Sequence, residues 1–389
     1  SFGKYETVAP LFKNQSEYDE FIARHKKNSE GIKILSEPPK VGFLGVDAGS
    51  TTVKVLIIDE NGNVFRPYYT KSTGKPTEIV QVYLTKLYED YPNIVIAGSA
   101  VTGYGEKMIQ SAFRLDYGIV ETMAHYFAAK KFMPDVDFIL DVGGQDIKCF
   151  KIKNGVIDQL FLNEACSSGC GSFLQTFAKS LGYEVEEFAK IGLFATAPVN
   201  LGSRCTVFMN SSVKQAQKDG ATIDNISAGL SISVVKNALY KVIRCASAKD
   251  LGKNIVVQGG TFLNDCVLRA FEREIGGEVV RSELSALMGA YGAALYALKL
   301  KNKAARKLLT AEELKRFKHS VKNITCGGCG NRCALTVNDF GDGKKFIAGN
   351  RCEKPLGKSK DANKNDDIYA YKISRLSQYI GGERQHGKL

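Results

Sequence analysis

Apolar and polar positions recur along this chain with two periods, and together they predict an α/β protein. Apolar runs closed by polar turns predict strands, the first beginning at Val41, the second at 53–58 and a third ending near Tyr69. A 3.6-residue apolar period predicts helices at 16–26, 77–91, 173–181, 184–192, 207–216, 223–248 and 283–298, and the stretch 108–133 is expected to be mainly helical. Strands that alternate with helices in this order are typical of sheets covered by helices.

The strand–turn–strand pattern at the start of this body occurs a second time. Beginning at Phe138, an apolar strand, a polar turn, another strand and an Asn154-Gly155 turn repeat the opening hairpin. Three identical residues recur at a constant offset of 94 residues: Asp47 and Asp141, Gly49 and Gly143, and Lys54 and Lys148. Identities at one offset inside one local pattern indicate an internal duplication. Two like lobes follow as the architecture, and the cleft between such lobes is where a ligand binds.

Both copies of the repeated turn have the composition of a phosphate site. The turn 47–52 offers backbone N–H groups and hydroxyls to a phosphate, and its Asp is placed to hold hydrated Mg²⁺. A Gly/Ser/Thr turn between strands is more often only a turn, but a second acidic turn at 141–146 favours the ligand interpretation. The chain has no Walker A sequence, so it would not be a P-loop enzyme.

The predicted site residues follow if the two turns converge on one nucleotide. The predicted catalytic residues are Asp47, Asp141 and Gln145, of which Gln145 would position the attacking water. Gly259 and Gly260, in a turn after another predicted strand, would let an adenine ring approach the backbone. The full set of predicted nucleotide-binding residues is Gly49, Ser50, Thr51, Thr52, Lys54, Gly143, Gly144, Asp146, Gly259 and Gly260.

Two cysteines stand in short loops rich in Gly and Ser, just ahead of predicted helices. Cys166 precedes the helix at 173–181, and Cys205 precedes the helix at 207–216. The positive end of a helix dipole favours a thiolate, which is a good metal ligand or nucleophile. Two such thiolates are half of a cluster site, and a symmetric dimer would supply the other half. Burial as a small apolar residue is the commoner fate of a Cys, but nothing bulky flanks these two.

Four further cysteines form a cluster towards the C-terminal end: Cys326, Cys329, Cys333 and Cys352. Thiolates on Gly-rich turns at this spacing fit tetrahedral Zn²⁺ or an Fe–S cluster equally well, so the identity of the metal stays open. Cys149, Cys245 and Cys266 lie in apolar patterns and are expected in the core. Glu121 and His125 lie four residues apart on one predicted helix and are expected to form a surface pair.

Charge is unevenly distributed along the 389 residues. From Lys299 onward the chain has 21 Lys and Arg against 9 Asp and Glu, which accounts for the whole net charge of +12. The basic tail lacks the interleaved aromatic residues of a stacking surface, so a solvated tail or one that docks on an acidic partner is favoured over nucleic-acid binding.

Ten Cys without a secretory signal, and no apolar run of 18 residues, indicate a reducing, cytoplasmic setting and no membrane partner.

Six motifs give the chain a resemblance to a known group of ATPases. They are VDAGSTTVK at 46–54, VTGYG at 101–105, DVGGQDIK at 141–148, NEACSSGCGSF at 163–173, SRCTVF at 203–208 and VVQGGTFLN at 256–264. The combination resembles the acetate/sugar kinase, Hsp70 and actin superfamily, and more closely the activator ATPases of 2-hydroxyacyl-CoA dehydratases and the ATPase subunits of benzoyl-CoA reductases. The expected fold is therefore α/β, with duplicated ribonuclease-H-like lobes and a small Cys-rich C-terminal module.

The resemblance also implies an activity. In that family the two cysteines of each subunit jointly hold one [4Fe-4S] cluster across a homodimer interface, and here they would be Cys166 and Cys205. ATP hydrolysis opens the cluster-bearing helices and passes an electron at low potential to an acyl-CoA dehydratase or reductase component, after reduction by a donor such as ferredoxin or flavodoxin. Cys170, where many members have Thr or Ser, is expected to be a bystander. The alternatives are a small-molecule kinase of the same superfamily and a metal-binding scaffold switched by ATP.

The expected domain organisation has five parts. Residues 1–40 form a peripheral N-terminal helical extension, 41–137 the first lobe, 138–298 the second lobe with the cluster-ligand helices, 299–320 a charged linker, and 321–389 the basic four-cysteine metal-binding module with its tail. Because the chain begins Ser-Phe-Gly and exceeds the minimal family unit at both ends, we expect a segment of a longer protein, or one copy of a tandem arrangement.

Overall fold

A computed structural model of the chain describes residues 5–27, 31–163, 169–203, 206–245, 251–305, 307–341, 343, 345–357 and 368–380. The chain divides into two units, Ser1–Leu314 and Lys315–Leu389. Within the described ranges, no helix is both long enough and apolar enough to cross a membrane.

The first unit contains two sheets, and the first of them has six strands. The strands are β1 (Ile34–Leu35), β2 (Val41–Ala48), β3 (Thr52–Ile58), β4 (Val64–Lys71), β5 (Val95–Thr102) and β6 (Tyr117–Gly118). Their order across the sheet is β1-β4-β3-β2-β5-β6. β2 runs antiparallel to β3 and parallel to β5. β2 and most of β3 are buried on both faces, as expected of central strands covered by helices.

The helices of the first half differ in one place from the predicted pattern. They are α1 (Gln15–Lys27), α2 (Pro76–Asp90), α3 (Glu106–Phe113) and α4 (Glu121–Phe132). The stretch 108–133, predicted to be mainly helical, contains two helices, α3 and α4, with a short strand between them. Arg114 adopts a left-handed φ of 56° that ends α3, and the chain then forms β6, which pairs with β5 before α4 begins.

The second sheet repeats the first, which confirms the predicted duplicated α/β fold. Its strands are β7 (Phe138–Val142), β8 (Ile147–Lys153), β9 (Val156–Asn163), β10 (Ile255–Gln258) and β11 (Val280–Arg281). The order β11-β10-β7-β8-β9 has the same directions as β6-β5-β2-β3-β4. Even the register recurs, because Asp47 pairs with Lys54 and Asp141 pairs with Lys148.

Helices fill the long connection between β9 and β10 and surround β11. They are α5 (Gly171–Ser180), α6 (Val185–Ile191), α7 (Thr206–Lys218), α8 (Ile223–Lys236), α9 (Asp265–Ile275), α10 (Met288–Lys299) and α11 (Ala311–Arg316). The predicted helix at 223–248 continues beyond α8 as a π-helical turn, Asn237–Val242. The predicted helix at 283–298 begins as a 3₁₀ turn, Ser285–Leu287, and becomes α-helical at Met288.

Two helices cross between the halves of the first unit. α10 comes from the second half of the chain, yet Ala290, Tyr291 and Ala294 share a core with Phe43 of the first sheet. α4 comes from the first half, and its Tyr126 and Ala129 pack against the second sheet. The two helices also pack on each other closely, because a Cβ on Gly292 would overlap the backbone carbonyl of Ala124. The last helix of the predicted second lobe thus packs on the first sheet.

The N-terminal segment is not peripheral, contrary to expectation. Leu11, Phe12 and Phe21 are buried in the core of the second half, because the apolar face of α1 packs against α9. Polar contacts fix this packing: Tyr18 Oη donates to Asp265 at 2.8 Å, and Arg24 donates to Glu272 at 2.6 Å. Segment 5–27 is therefore part of the second lobe.

The second unit is a small antiparallel sheet with a helix. Its elements are β12 (Ser320–Thr325), β13 (Ala334–Asp339), β14 (Lys345–Ala348) and α12 (Ile368–Ile380). Phe317, Leu335 and Phe340 are its buried apolar residues among those described, and the ring of Phe340 stacks on Phe317 with centroids 6.0 Å apart. The apolar core of the second unit is therefore small in the part that the structure describes.

Candidate functional site

The two repeated turns face each other across a cleft in the first unit. Asp47 near the end of β2 and Asp141 near the end of β7 are 2% and 4% exposed. Lys54 Nζ donates to Asp47 Oδ2 at 2.9 Å. Burial lowers the pKa of Lys54, but the attraction of Asp47 and then of Asp141 outweighs burial and holds that pKa above its ordinary value. The geometry agrees, because a Cβ on Gly289 would lie 2.6 Å from Asp47 Oδ2 and 3.3 Å from His125 Nε2, which is itself 3.8 Å from Asp141 Oδ2. The two turns are therefore neighbours.

One oxygen of Asp47 is left for a ligand. Among the described residues, Asp47 Oδ1 is buried and has no hydrogen-bond partner. A buried anionic oxygen without a donor or a cation is costly. The donor set at this turn therefore fits hydrated Mg²⁺, which prefers carboxylate and water oxygens.

The second turn is surrounded by more charged groups. Lys148 lies in β8 and contacts the carboxylates of Asp146, Glu121 at 2.9 Å and Asp141 at 3.8 Å. Burial lowers the pKa of Lys148, but the attraction of Asp141, Glu121 and Asp146 outweighs burial and raises it. Lys148 is thus a permanent cation that neutralises this side of the cleft.

Glu121 and His125 do not form a surface pair, so that prediction is wrong. His125 is 6% exposed, and its Nε2 lies 3.8 Å from both Asp141 Oδ2 and Glu121 Oε1. His125 Nδ1 contacts Gln258 Oε1 at 2.6 Å. Helical spacing correctly put Glu121 and His125 on one face, but it carried no information that this face of α4 meets the second sheet. The duplication placed Lys148 beside Asp141, whereas no local signal pointed to His125 or Gln258.

Each half also places a glycine beside its buried aspartate. Gly259 has a φ of 90°, and a Cβ there would lie 2.7 Å from Asp141 Oδ1. Gly103 has a φ of 89°, and a Cβ there would lie 2.8 Å from Asp47 Oδ1. Only glycine suits both the left-handed backbone and the close approach. Gly103 was missed as a site residue, although its place one residue after β5 matches that of Gly259 after β10.

Comparison with known proteins identifies the family. Residues 44–297 match the model of the BadF/BadG/BcrA/BcrD ATPase family. The chain belongs to this ATPase family. It is 33% identical over 289 residues to the 2-hydroxyisocaproyl-CoA dehydratase activator of Clostridioides difficile, covering 72% of this chain and 99% of that protein. It is 31% identical over 259 residues to the (R)-2-hydroxyglutaryl-CoA dehydratase activating ATPase of Acidaminococcus fermentans, covering 66% and 96%.

Two solved structures are also similar to this chain. The activator of the 2-hydroxyisocaproyl-CoA dehydratase from Clostridium difficile, with bound ADPNP, matches with a TM-score of 0.58 and 32% identity over 67% of this chain and 96% of that chain. The component A structure of the (R)-2-hydroxyglutaryl-CoA dehydratase from Acidaminococcus fermentans matches with a TM-score of 0.58 and 30% identity, covering 67% and 99%. The first unit therefore has the ribonuclease-H-like ATPase fold.

The nucleotide-binding residues predicted in the second half lie in the turn between β7 and β8 and in the turn after β10. Gly143 N–H donates to Asp146 O at 2.9 Å and closes the second turn, while a Cβ on Gly144 would meet nothing within 4 Å. Gln145 is exposed beside them. A Cβ on Gly260 would lie 3.9 Å from Tyr69 Oη of the first sheet, so this glycine marks where the two walls approach.

The remaining predicted nucleotide-binding residues lie in the first turn, between β2 and β3, and differ in their exposure to solvent. Within the first turn, Gly49 approaches the carbonyl of Thr52, where a Cβ would lie 2.9 Å away. Ser50 is exposed, and Thr51 and Thr52 are half-buried. Hydroxyls at such positions are accessible to a phosphate in the cleft.

The second turn is joined to the start of α5. Gly171 N–H donates to Gly143 O at 3.0 Å, and Ser172 N–H donates to Gly144 O at 2.8 Å. Thr261 Oγ1 also donates to Gly143 O, at 3.0 Å. Cys166 precedes this helix, and both Cys166 and Cys205 lie outside the described residues. Cys170, directly before α5, is buried in the core of the second half.

Three of the tail cysteines, Cys326, Cys329 and Cys333, lie in the turn between β12 and β13, and Cys352 follows β14. Cys326 N–H donates to Cys333 O at 2.8 Å, which brings these two backbones together, while Cys329 and Cys352 are exposed. In the described part of the chain, no group of three or more His, Cys, Asp or Glu side chains is arranged to hold a metal ion. The four-cysteine metal site stays a prediction.

Proposed function

We propose that this chain couples hydrolysis of ATP in its cleft to one-electron transfer through an iron–sulfur cluster. ATP and water give ADP and phosphate. A cluster held by the chain would supply a one-electron carrier of low potential between a donor, such as ferredoxin or flavodoxin, and an acyl-CoA dehydratase or reductase component. The observation that carries the proposal is the convergence of Asp47 and Asp141 on Lys54, in a chain whose relatives are named as dehydratase activators.

The roles in hydrolysis follow from position. Asp47 and Asp141 hold the hydrated Mg²⁺ and the phosphates, and bound Mg²⁺ would neutralise charge on the terminal phosphates. The hydroxyls of Thr51 and Thr52 contact the γ-phosphate, and Gln145, exposed at the rim, orients the attacking water. Gly259 and Gly260 accommodate the adenosine.

The proposed cluster ligands are Cys166 and Cys205. α7 begins at Thr206, directly after Cys205, and α5 begins at Gly171, five residues after Cys166. Thiols ahead of helix N-termini are favoured as thiolates, which supports metal ligation. Two copies of the chain complete a [4Fe-4S] cluster, so the cytoplasmic form is a homodimer or a tandem arrangement.

Anaerobic purification with iron, sulfide and zinc analysis tests the proposal. The wild type is compared with Cys166→Ala, Cys205→Ala and Cys326→Ala. We expect about four irons per dimer, lost in the first two variants and kept in the third, with zinc at the tail. Iron well above that value, falling in Cys326→Ala, would make the tail a second Fe–S site. If no iron depends on Cys166 or Cys205, the electron-transfer proposal is wrong and a plain ATPase remains.

A further inference from the structure

The two halves of the cleft share the same strand pairing but have different side chains beside their buried aspartates. Beside Asp47, the paired residue at the end of β5 is Thr102, and a Cβ on Gly289 of α10 would lie 2.6 Å from Asp47 Oδ2. Beside Asp141, the paired residue at the end of β10 is Gln258. The crossing helix α4 there contributes His125. A threonine and a glycine in the first half thus correspond to a glutamine and a histidine in the second.

Gln258 and His125 are joined by two hydrogen bonds. Gln258 Nε2 donates to the backbone carbonyl of His125 at 3.1 Å. This assignment leaves Gln258 Oε1 as the acceptor for His125 Nδ1–H at 2.6 Å. Gln258 is 0% exposed, so neither bond is replaced by water without rearrangement.

Gln258 directly precedes the glycine turn, which a second crossing helix also contacts. Gly259 N–H donates to Ser285 O at 2.8 Å, and Ser285 Oγ donates to Gly259 O at 3.0 Å. Ser285 belongs to the 3₁₀ turn that leads into α10. The turn at 259–260 is therefore attached to α4 through Gln258 and to α10 through Ser285.

We infer that Gln258 and His125 are positioning residues for the nucleotide. Their paired hydrogen bonds fix the backbone of Gly259 and Gly260 against α4, so that the turn has its adenosine-binding shape before ATP arrives. The equivalent position in the first half lacks such a pair among the described residues, in keeping with a single nucleotide in a duplicated cleft. The inference rests on the proposed placement of adenosine at Gly259 and Gly260.

Three variants test this role, with ATP hydrolysis and binding of the fluorescent nucleotide mant-ADP as the measurements. Gln258→Met keeps the volume and removes both bonds, and His125→Leu removes the ring donor. Both should raise the KM for ATP and the Kd of mant-ADP about tenfold, and in Gln258→Met, which leaves the His125 ring beside Asp141, kcat should change less than about threefold. His125→Asn keeps a donor at the place of Nδ1, so it should restore the KM to within about threefold of the wild type.

Tyr291→Phe is the matched control, because it also removes a buried hydrogen bond, from Tyr291 Oη to Gly62 O at 2.9 Å, away from the cleft. It should lower the Tm without changing the KM. The inference is overturned if Gln258→Met leaves the Kd of mant-ADP unchanged, or if Tyr291→Phe changes it equally. If Asp47→Asn abolishes hydrolysis while Gln258→Met binds normally, only the positioning role fails. A wild type that binds no mant-ADP overturns both the positioning role and the proposed function.

Discussion

Asp47 and Asp141 occupy equivalent places in the two halves but have unequal surroundings. Asp141 lies within 3.8 Å of both Lys148 Nζ and His125 Nε2. Asp47 contacts Lys54 through Oδ2, while its Oδ1 has no partner among the described residues. Asp47 is therefore the carboxylate with an oxygen available to a cation or to a water bound to it.

Asp47→Asn should lower the rate of ATP hydrolysis about 100-fold or more, because a neutral amide neither holds the cation nor balances Lys54. Phosphate release at saturating Mg-ATP measures this rate. Asp158→Asn, an exposed aspartate on β9, is the control and should keep the wild-type rate. A rate within about threefold of the wild type in Asp47→Asn would show that this carboxylate is not part of the catalytic machinery.

Cysteine reactivity should separate the core thiols from the tail thiols. Burial raises the pKa of Cys149 to about 12 and raises that of Cys266 as well, so both stay protonated and shielded near pH 8. Iodoacetamide followed by mass spectrometry should leave both unmodified in the native protein. Cys329 and Cys352 are exposed and should be labelled once any metal is removed. Equal labelling of Cys149 and Cys329 would contradict the described core.

At the scale of elements, the close packing of the two crossing helices, α10 and α4, requires a glycine at their contact. A Cβ on Gly292 would overlap the carbonyl of Ala124, so α10 and α4 would have to move apart. Gly292→Ala should lower the free energy of unfolding by about 1–3 kcal/mol, measured by denaturant titration. Gly277→Ala is the matched control, because a Cβ there would meet nothing within 4 Å. Equal unfolding midpoints for the two variants would contradict the close packing.

The contact between α1 and α9 should weaken in acid. Burial alone raises the pKa of Glu272, but the close contacts with His25 and Arg24 outweigh burial and hold that pKa below its ordinary value of 4.5. A depressed pKa adds stability that is present above about pH 4.5 and is lost as the pH falls through the folded-state pKa.

Thermal unfolding of the wild type and of Glu272→Gln tests this pH dependence. The wild type should be the more stable at pH 7, and the difference in Tm should shrink below about pH 4.5, where Glu272 becomes protonated. A difference in Tm that stays constant from about pH 7 to well below the folded-state pKa of Glu272 would contradict the assigned contact.

At the scale of the whole molecule, the sequence predicts what is local or repeated. The hairpin at Asp47 and its copy at Asp141 were recognisable because strands, turns and identities recur at one offset. Which helix faces are buried depends on tertiary packing, which a local pattern does not predict. No periodicity shows that α4 meets the second sheet, so His125 was placed on the surface. The burial of Phe21 likewise depends on α9, which is far away in sequence.

Coupling of hydrolysis to electron transfer is tested most directly in a single anaerobic experiment. The protein is reduced, freed of excess reductant and mixed with Mg-ATP and a low-potential viologen, while phosphate and the viologen radical are recorded together. We expect about one viologen radical per dimer, formed only as ATP is hydrolysed, and none with ADP or with Asp47→Asn. Phosphate release without viologen reduction, or reduction that needs no nucleotide, would contradict the coupling.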